Sequence, residues 1–410
     1  MKLTFNLNGR TYILIAFVLF LITFIVYYLT GEGQKTPYDY FVPLADSFWH
    51  GRLYLLDNPS WLDELLEVNG RYYVIYPPMP AILLLPQTLF SGLNANQTLA
   101  SVSVGALNVS LVFLLMRRVV QNKRLQLWMA LLFGFGTIHW YLASIGKAWF
   151  FAQVSSFFFL IIAVYETFGK KRPFLIGLLV GASFWCRLPI VLSLPFFLIM
   201  LSDKWYHGSE ENFFDKISFL PLFKLGAGIG IFIALNFIYN YLRFDTFSDI
   251  AYSIQAEKEP WWYPKGLFHI SYIATHLKVL FLKLPIFMST PPYVQPSFQG
   301  MSILITTPAF IYSVMAGMRN KISIACWLAI IPIALIAFLH GGTGWMMFGY
   351  RYAVDFYPFL LVLTALGIQS NMQGRVDLRW EHKLLIILGI LVNIWGVLWI
   401  NKFGWVSLWI

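Results

Sequence analysis

The sequence predicts an all-α, polytopic membrane protein with about eleven transmembrane helices. Of its 410 residues, 59% are hydrophobic and 12% are charged, whereas soluble domains carry roughly 25% charged residues. Apolar runs long enough to cross a hydrocarbon layer of about 30 Å recur along the whole chain. The alternating pattern of a membrane-spanning strand, with segments of roughly ten residues, is absent.

The first apolar run is interpreted as an uncleaved anchor, because it is too long for a signal-peptide core and no A-x-A site follows it. Two further segments, 78–91 and 270–288, are apolar but short or interrupted. The predicted spans are 11–29, 97–116, 125–144, 149–168, 173–186, 188–201, 219–240, 301–317, 322–340, 352–369 and 384–401.

Lysine and arginine orient these spans. If the N-terminus is cytoplasmic, every short inner loop is basic, as the positive-inside rule requires. The opposite side then carries two long loops, 30–77 and 241–300, and a short glycine-rich loop, 341–351. The net charge of +10 is therefore a sign of membrane topology, and nucleic-acid binding is not expected. Because irregular segments on a rigid scaffold tend to carry function, we expect the functional site on this outer face.

The first outer loop contains "TPYDYFVPLADSFWHGRLYLL", residues 36–56. Pro43 fits the first turn of a helix, and the pattern predicts a surface helix over 43–56. This helix would turn Leu44, Phe48, Leu55 and the ring of Trp49 towards lipid. Asp39 lies just before this helix. It is either a solvated carboxylate or helix cap, or an acid with a function.

Three basic residues lie where charge is costly. Arg187, in "WCRLPIV", joins two apolar runs of about 14 residues. Each run covers only ~21 Å, so the turn between them is sunken on the outer side. A sunken arginine needs an ion pair or a wet cavity. Lys147, in "SIGKAWFF", occupies a tight outer turn, where it either extends its ammonium group to the membrane interface or binds a ligand.

The third of these basic residues, Arg351, lies in the stretch "GGTGWMMFGYRYAVDFYP", residues 341–358. Arg351 begins a predicted span, and Asp355 follows at i+4. The spacing indicates either a plain intrahelical pair or an arginine that Asp355 holds in place for a phosphate. Glu257 and Glu259 lie beside a cluster of aromatic residues, Trp261, Trp262 and Tyr263. Such a cluster is typical of the membrane interface. Cys186 and Cys326 lie in different predicted spans, so no disulfide is expected.

The first outer loop, "YPPMP" at 76–80 and "FGYRYAVDFYPFL" at 348–360 resemble the polytopic glycosyltransferases of the GT-C superfamily, which include protein mannosyltransferases and the aminoarabinose transferases of lipid A. The matching positions in the first loop are Asp39, Tyr40, Ala45, Gly51 and Tyr54. The layout of spans matches from Thr11 to about Leu366. The resemblance implies one transmembrane glycosyltransferase-like domain over 1–410, in a bacterial plasma membrane, with its active site on the outer face.

The resemblance also implies the reaction and its residues. A sugar is transferred, with inversion, from a polyprenyl-phosphate donor to an acceptor hydroxyl that the sequence does not name. Asp39 is the expected general base, and Lys147, Arg187 and Arg351 are the expected cations for the leaving phosphate. Tyr40 and Tyr76 are expected to contact substrate. Only one acid stands where related proteins often have two, so no metal ligands are assigned, and a divalent cation is left as an alternative.

Three other classes of protein are compatible with these patterns. A transporter or flippase would use Arg187 as a substrate anchor and Asp39 as a gate. A non-catalytic scaffold would have no pocket between its outer loops. A polymer ligase would act on the same kind of lipid-linked substrate.

Overall fold

The computed structural model describes residues 9–31, 34–207, 217–291, 293–318, 320–344 and 347–403. Within these ranges the chain forms a bundle of helices with two small antiparallel hairpins, β1–β2 and β3–β4. The elements up to residue 205 are α1 (Gly9–Thr30), α2 (Phe41–Trp49), β1 (Leu65–Val68), β2 (Arg71–Val74), α3 (Met79–Ser91), α4 (Gln97–Val119), α5 (Lys123–Phe135), α6 (His139–Ile145), α7 (Ala148–Thr167), α8 (Pro173–Phe184), α9 (Leu194–Met200) and α10 (Ser202–Trp205). Those after residue 217 are α11 (Phe219–Phe244), α12 (Ala251–Lys258), α13 (Tyr272–Leu282), β3 (Ile286–Phe287), β4 (Val294–Gln295), α14 (Ile303–Thr306), α15 (Lys321–Leu339), α16 (Tyr357–Asn371) and α17 (Trp380–Phe403).

Seven described helices are long and apolar enough to cross a membrane, or up to eight if α5 and α6, which meet at a 50° bend, form one span. The predicted class of polytopic membrane protein is therefore confirmed, while the number of about eleven stays a prediction. The seven are Gly9–Thr30, Gln97–Val119, Ala148–Thr167, Phe219–Phe244, Lys321–Leu339, Arg351–Asn371 and Trp380–Asn401.

Several predicted spans form short or irregular helices. The run 188–201 divides into a 3₁₀ helix, Leu188–Ser193, and α9, and the run 301–317 divides into α14 and a 3₁₀ helix, Pro308–Ala316. Proline lies in the first turn of three of these four segments. Because proline has no N–H and clashes with the preceding turn, it favours a break at these positions.

Two glycines allow α8 and α11 to pack closely. A Cβ atom at Gly177 of α8 would overlap the carbonyl oxygen of Leu225, and one at Gly228 of α11 would lie 2.6 Å from the backbone nitrogen of Leu178. Small residues at a helix crossing let two backbones approach, which is a common way to pack membrane helices. This crossing fixes α8, whose C-terminal end leads to Arg187.

The first outer loop is folded around its own apolar core. Tyr40, Phe41 and Leu44 from the α2 region are buried together with Leu66 of β1 and Val74 of β2. The predicted helix is therefore present, but it ends at Trp49 instead of residue 56.

The predicted orientation of two side chains in this loop was wrong. Leu44 is fully buried and Leu55 is 4% exposed, because both pack in the loop's own core instead of facing lipid. Whether α2 lies along the membrane surface stays a prediction.

The hairpin β1–β2 was not predicted. Its two strands pair antiparallel, from Leu65 opposite Val74 to Val68 opposite Arg71. Asn69 and Gly70 form the two-residue turn, with φ of 53° and 70°. Positive φ at both positions is the requirement of a type I′ turn, which Asn-Gly satisfies at low cost.

Both cysteines, Cys186 and Cys326, are free and buried.

Candidate active site

A cavity of about 440 Å³ opens at one end of the bundle. All three segments that the sequence assigned to one face contribute to its wall, so the prediction that they lie together is confirmed. The assignment of this end to the outer face rests on the distribution of lysine and arginine. The wall includes Glu64, Tyr76 and Pro77 from the first loop, Asp249, Tyr252, Gln255, Trp262, Tyr263 and Phe268 from the second, Gly344 from the third, and Trp149, Arg187, His340, Arg351, Tyr352 and Asp355 from the helices and their ends.

Arg187 and Asp355 form an ion pair in this wall. Nη2 of Arg187 donates to Oδ2 of Asp355 at 2.8 Å, and Nε approaches Oδ1 at 3.4 Å. The side chain of Asp355 is 2% exposed and that of Arg187 is 18% exposed. Of the roles considered for Arg187, the ion pair is thus present. The exposed part of the guanidinium group faces the cavity that it lines.

The predicted pairing of Arg351 with Asp355 was wrong. Residues Arg351–Phe356 form a 3₁₀ helix, which has about three residues per turn, so side chains at i and i+4 do not meet on one face. Asp355 instead turns to Arg187. Arg351 is held by Gln153, whose Oε1 accepts from Nη1 at 3.4 Å, and by the hydroxyl of Tyr352, which accepts from Nη2 at 3.3 Å.

The two guanidinium groups converge on one aromatic ring. The central carbon of Arg351 lies 4.6 Å from the centroid of the Tyr352 ring, and that of Arg187 lies 5.7 Å from it. Both distances fall within the range of a cation–π contact. Nε of Arg351 is buried and has no hydrogen-bond partner among the described residues. A buried donor without a partner is costly, which favours an acceptor arriving with a ligand.

Gly344 gives Arg351 its room. A Cβ atom at this position would lie 2.7 Å from Nε of Arg351, and the backbone has a φ of +112°. Both the space and the backbone conformation therefore require glycine.

Glu64 is the cavity residue that sequence reasoning missed. It directly precedes β1, and its Oε2 accepts a hydrogen bond from Nε1 of Trp149 at 2.7 Å. Its other carboxylate oxygen has no partner in the part of the chain that the structure describes. Burial raises the pKa of Glu64 to about 8. The first outer loop carries seven acids, and only the Asn-Gly turn, which fixes the hairpin, could have singled out Glu64.

The predicted residues divide into two groups. Tyr76, Arg187 and Arg351 line the cavity. Tyr40 does not line the cavity itself but contacts two residues that do. Its ring packs edge-on against Tyr76 with ring centroids 5.4 Å apart, and its hydroxyl accepts a hydrogen bond from the backbone nitrogen of Glu64 at 3.1 Å.

Asp39 and Lys147 are not among the residues of the cavity wall. They flank Tyr38, which packs against Trp149 with ring centroids 5.2 Å apart. Nζ of Lys147 lies 5.0 Å from the centroid of the Tyr38 ring. Burial raises the pKa of Asp39, although Lys35 opposes the shift, and burial lowers the pKa of Lys147 to about 8.

Within the described ranges, no three His, Cys, Asp or Glu side chains gather as a metal site would require.

The chain matches no protein-family model and no curated protein. Among solved structures, the oligosaccharyltransferase of Archaeoglobus fulgidus in its apo form matches with a TM-score of 0.50 and 14% identity, over 95% of this chain and 56% of that protein. ArnT from Cupriavidus metallidurans, solved with undecaprenyl phosphate, matches with a TM-score of 0.49 and 10% identity, over 88% of this chain and 61% of that protein.

The chain thus spans little more than half the length of the solved proteins it matches. At these identities the likeness establishes the fold alone. The chain has the fold of that oligosaccharyltransferase, and this is the fold that the sequence resemblance implied.

Proposed function

We propose that the chain is a membrane glycosyltransferase. It moves a sugar from a polyprenyl-phosphate donor to a hydroxyl of a lipid, glycan or protein acceptor, with inversion at the anomeric carbon. The observation that carries this proposal is the cavity in which Arg187 and Arg351 converge on Tyr352 within a fold of the GT-C type.

The two arginines suit a lipid-phosphate leaving group. As the bond between the anomeric carbon and the phosphate oxygen breaks, negative charge grows on the phosphate. Preorganised cations in a site of low dielectric constant stabilise such charge most strongly. Arg187 is partly neutralised by Asp355, so Arg351, which has no ion-pair partner among the described residues, supplies the larger net positive charge.

The cavity wall suits a small polar ligand with an apolar attachment. Aliphatic and aromatic side chains make up most of it, and a few charged groups lie among them. This composition, with a few polar groups that fix orientation, is typical of ligand sites. The wall also argues against a non-catalytic scaffold, for which no pocket between the outer loops is expected.

The acceptor hydroxyl needs a base. The oxygen of the acceptor forms a bond to the anomeric carbon, the bond to phosphate breaks, and the polyprenyl phosphate departs with the electron pair. The acceptor proton passes to a carboxylate, since a positioned base typically contributes about 10²–10⁴-fold to the rate. The resemblance implies Asp39 for this role. About eleven spans, a surface-lying α2 and an active site on the outer face complete the proposal.

The proposal is tested by incubating the purified protein with a panel of polyprenyl-phosphate sugars and candidate acceptors, followed by mass spectrometry. We expect a glycosylated product and free polyprenyl phosphate in equal amounts with at least one donor. A flippase would instead move the intact donor across a vesicle bilayer without releasing sugar. That result would replace the proposed function.

A further inference from the structure

Three carboxylates line the cavity: Glu64, Asp249 and Asp355. They differ in what already binds them. Asp355 is neutralised by Arg187 and also accepts from Gln153. Asp249 accepts a hydrogen bond from the backbone of Ala251 and lies near Arg243, and its Oδ1 is buried without a partner among the described residues. Neither Glu64 nor Asp249 forms an ion pair with a described residue, and Glu64 is the one of the two that a side chain of the same wall, Trp149, orients by a hydrogen bond.

The local structure holds Glu64 at both its backbone and its side chain. Its backbone nitrogen donates to the hydroxyl of Tyr40, and the next residue begins β1. Trp149, at the start of α7, donates to Oε2 at 2.7 Å. One oxygen is therefore fixed, and the other is left for a ligand. A base held by a third group in this way is the usual arrangement for proton abstraction.

We propose that Glu64 is the general base that takes the proton of the acceptor hydroxyl, a role that rests on the proposed function. The acceptor O–H bond breaks as its oxygen bonds to the anomeric carbon, and the proton moves to the free oxygen of Glu64. The donor's bond to phosphate breaks, and the polyprenyl phosphate leaves with the electron pair. Glu64 then returns its proton to water.

Asp39 is less well placed for this step. It does not belong to the cavity wall, and its backbone carbonyl accepts from the nitrogen of Val42 at the start of α2. Tyr38, the chain neighbour of Asp39, packs against Trp149 of the cavity wall with ring centroids 5.2 Å apart. The acid implied by the resemblance thus lies outside the cavity wall, whereas Glu64 belongs to it.

The charges around Glu64 set the pH at which it works. Burial is the largest influence and favours the protonated acid. Glu259 and Asp63 act in the same direction, whereas Arg351 and the hydrogen bond from Trp149 favour the carboxylate. The result is a base that ionises close to neutral pH, where general bases are most effective.

The test compares Glu64→Gln with two matched variants, Asp39→Asn and Glu67→Gln. Glu67 is an exposed acid of β1, the strand that directly follows Glu64, so its variant controls for charge in the hairpin. Transfer is measured from pH 6 to 10, and donor binding is measured separately. We expect Glu64→Gln to bind the donor normally and to lose about 10²–10⁴-fold in turnover, with Glu67→Gln unchanged and Asp39→Asn affected far less. In the wild type, kcat/KM should rise with pH through about 8, and this rise should be absent in Glu64→Gln.

A second variant keeps the test decisive if Glu64→Gln folds poorly. Trp149→Phe removes the hydrogen bond that favours the carboxylate, so the rise in kcat/KM should move to higher pH. A Glu64→Gln variant that transfers sugar at nearly the wild-type rate, or a Trp149→Phe variant with an unmoved pH profile, would overturn the role of Glu64. If the wild type bound donor but released no polyprenyl phosphate with any acceptor, the proposed function itself would fall, and the base with it.

Discussion

At the scale of single residues, Arg351 has the geometry that a lysine cannot reproduce. Its guanidinium group contacts Gln153 with one nitrogen and Tyr352 with another, and Nε remains without a described partner. A planar fork of donors can hold its supports and a phosphate at once, whereas an ammonium group is a single point charge.

We therefore expect Arg351→Lys to weaken donor binding by about ten- to a hundredfold, the order of one lost hydrogen bond to a charged group. Isothermal titration with a polyprenyl-phosphate sugar measures the effect. Arg71→Lys is the control, because this arginine lies on the exposed side of β2 against Tyr54. Equal affinity in Arg351→Lys and wild type would remove Arg351 from the donor site.

Lys147 offers a prediction about pH. Burial lowers the pKa of its ammonium group to about 8, so the group loses its charge as the pH rises through that value. If it helps to hold the phosphate, donor binding by the wild type should weaken above about pH 8. Lys147→Arg should keep its affinity up to pH 10, because arginine stays protonated. An identical pH dependence of the two proteins would mean that Lys147 does not bind the phosphate.

Three of the six residues predicted from the sequence line the cavity: Tyr76, Arg187 and Arg351. What made the two arginines recognisable was their position relative to the apolar runs. Arg187 and Arg351 were recognisable because a charge at the end of an apolar run must be paired or face water. The partner of each was not recognisable. The distance in sequence between Arg187 and Asp355 is large, and only the packed bundle brings them to 2.8 Å.

At the scale of elements, the hairpin β1–β2 decides which acid of the first loop reaches the cavity. Its turn, Asn69-Gly70, is a recognisable signal of a hairpin between two apolar strands. Given that turn, the register follows, and Glu64 falls at the base of the hairpin beside Tyr40. The contact with Trp149 still depends on where α7 begins, which the sequence alone does not determine.

The helix crossing of α8 and α11 gives a prediction with an internal control. Gly228→Ala places a Cβ atom 2.6 Å from the backbone of α8, which must then move away. We expect a loss of about 1–3 kcal/mol, the usual cost of overpacking, seen as a lower apparent melting temperature in detergent.

Gly226 is the matched control on the same helix, because nothing lies within 4 Å of a Cβ atom there. Gly226→Ala should be neutral or stabilise the helix by up to about 1 kcal/mol. Equal melting temperatures for the two alanine variants would show that the crossing tolerates separation.

At the scale of the whole molecule, composition sufficed to predict the class of protein, whereas the number of spans could not be read from it. An apolar run reports that a segment avoids water, but not whether it stays one straight helix. Proline near 189 and 308 produces 3₁₀ segments, and α5 and α6 bend by 50° within one apolar run. Hydropathy is similar in all these cases, while the backbone geometry differs.

The last prediction concerns the side of the membrane that the cavity faces. Residues of the first and second long loops share one cavity, so both loops must lie on the same side. Single cysteines at Glu67 and Lys258, which are exposed, report on that side, and Lys170 reports on the opposite end of the bundle. The native cysteines are buried, so they add little background labelling. With a membrane-impermeant maleimide on intact cells, we expect labelling at positions 67 and 258 and none at 170 until the cells are permeabilised, because lysine and arginine favour the cytoplasmic side. Labelling at 67 but not 258 would contradict the shared cavity, and the reverse of the whole pattern would place the transfer reaction in the cytoplasm.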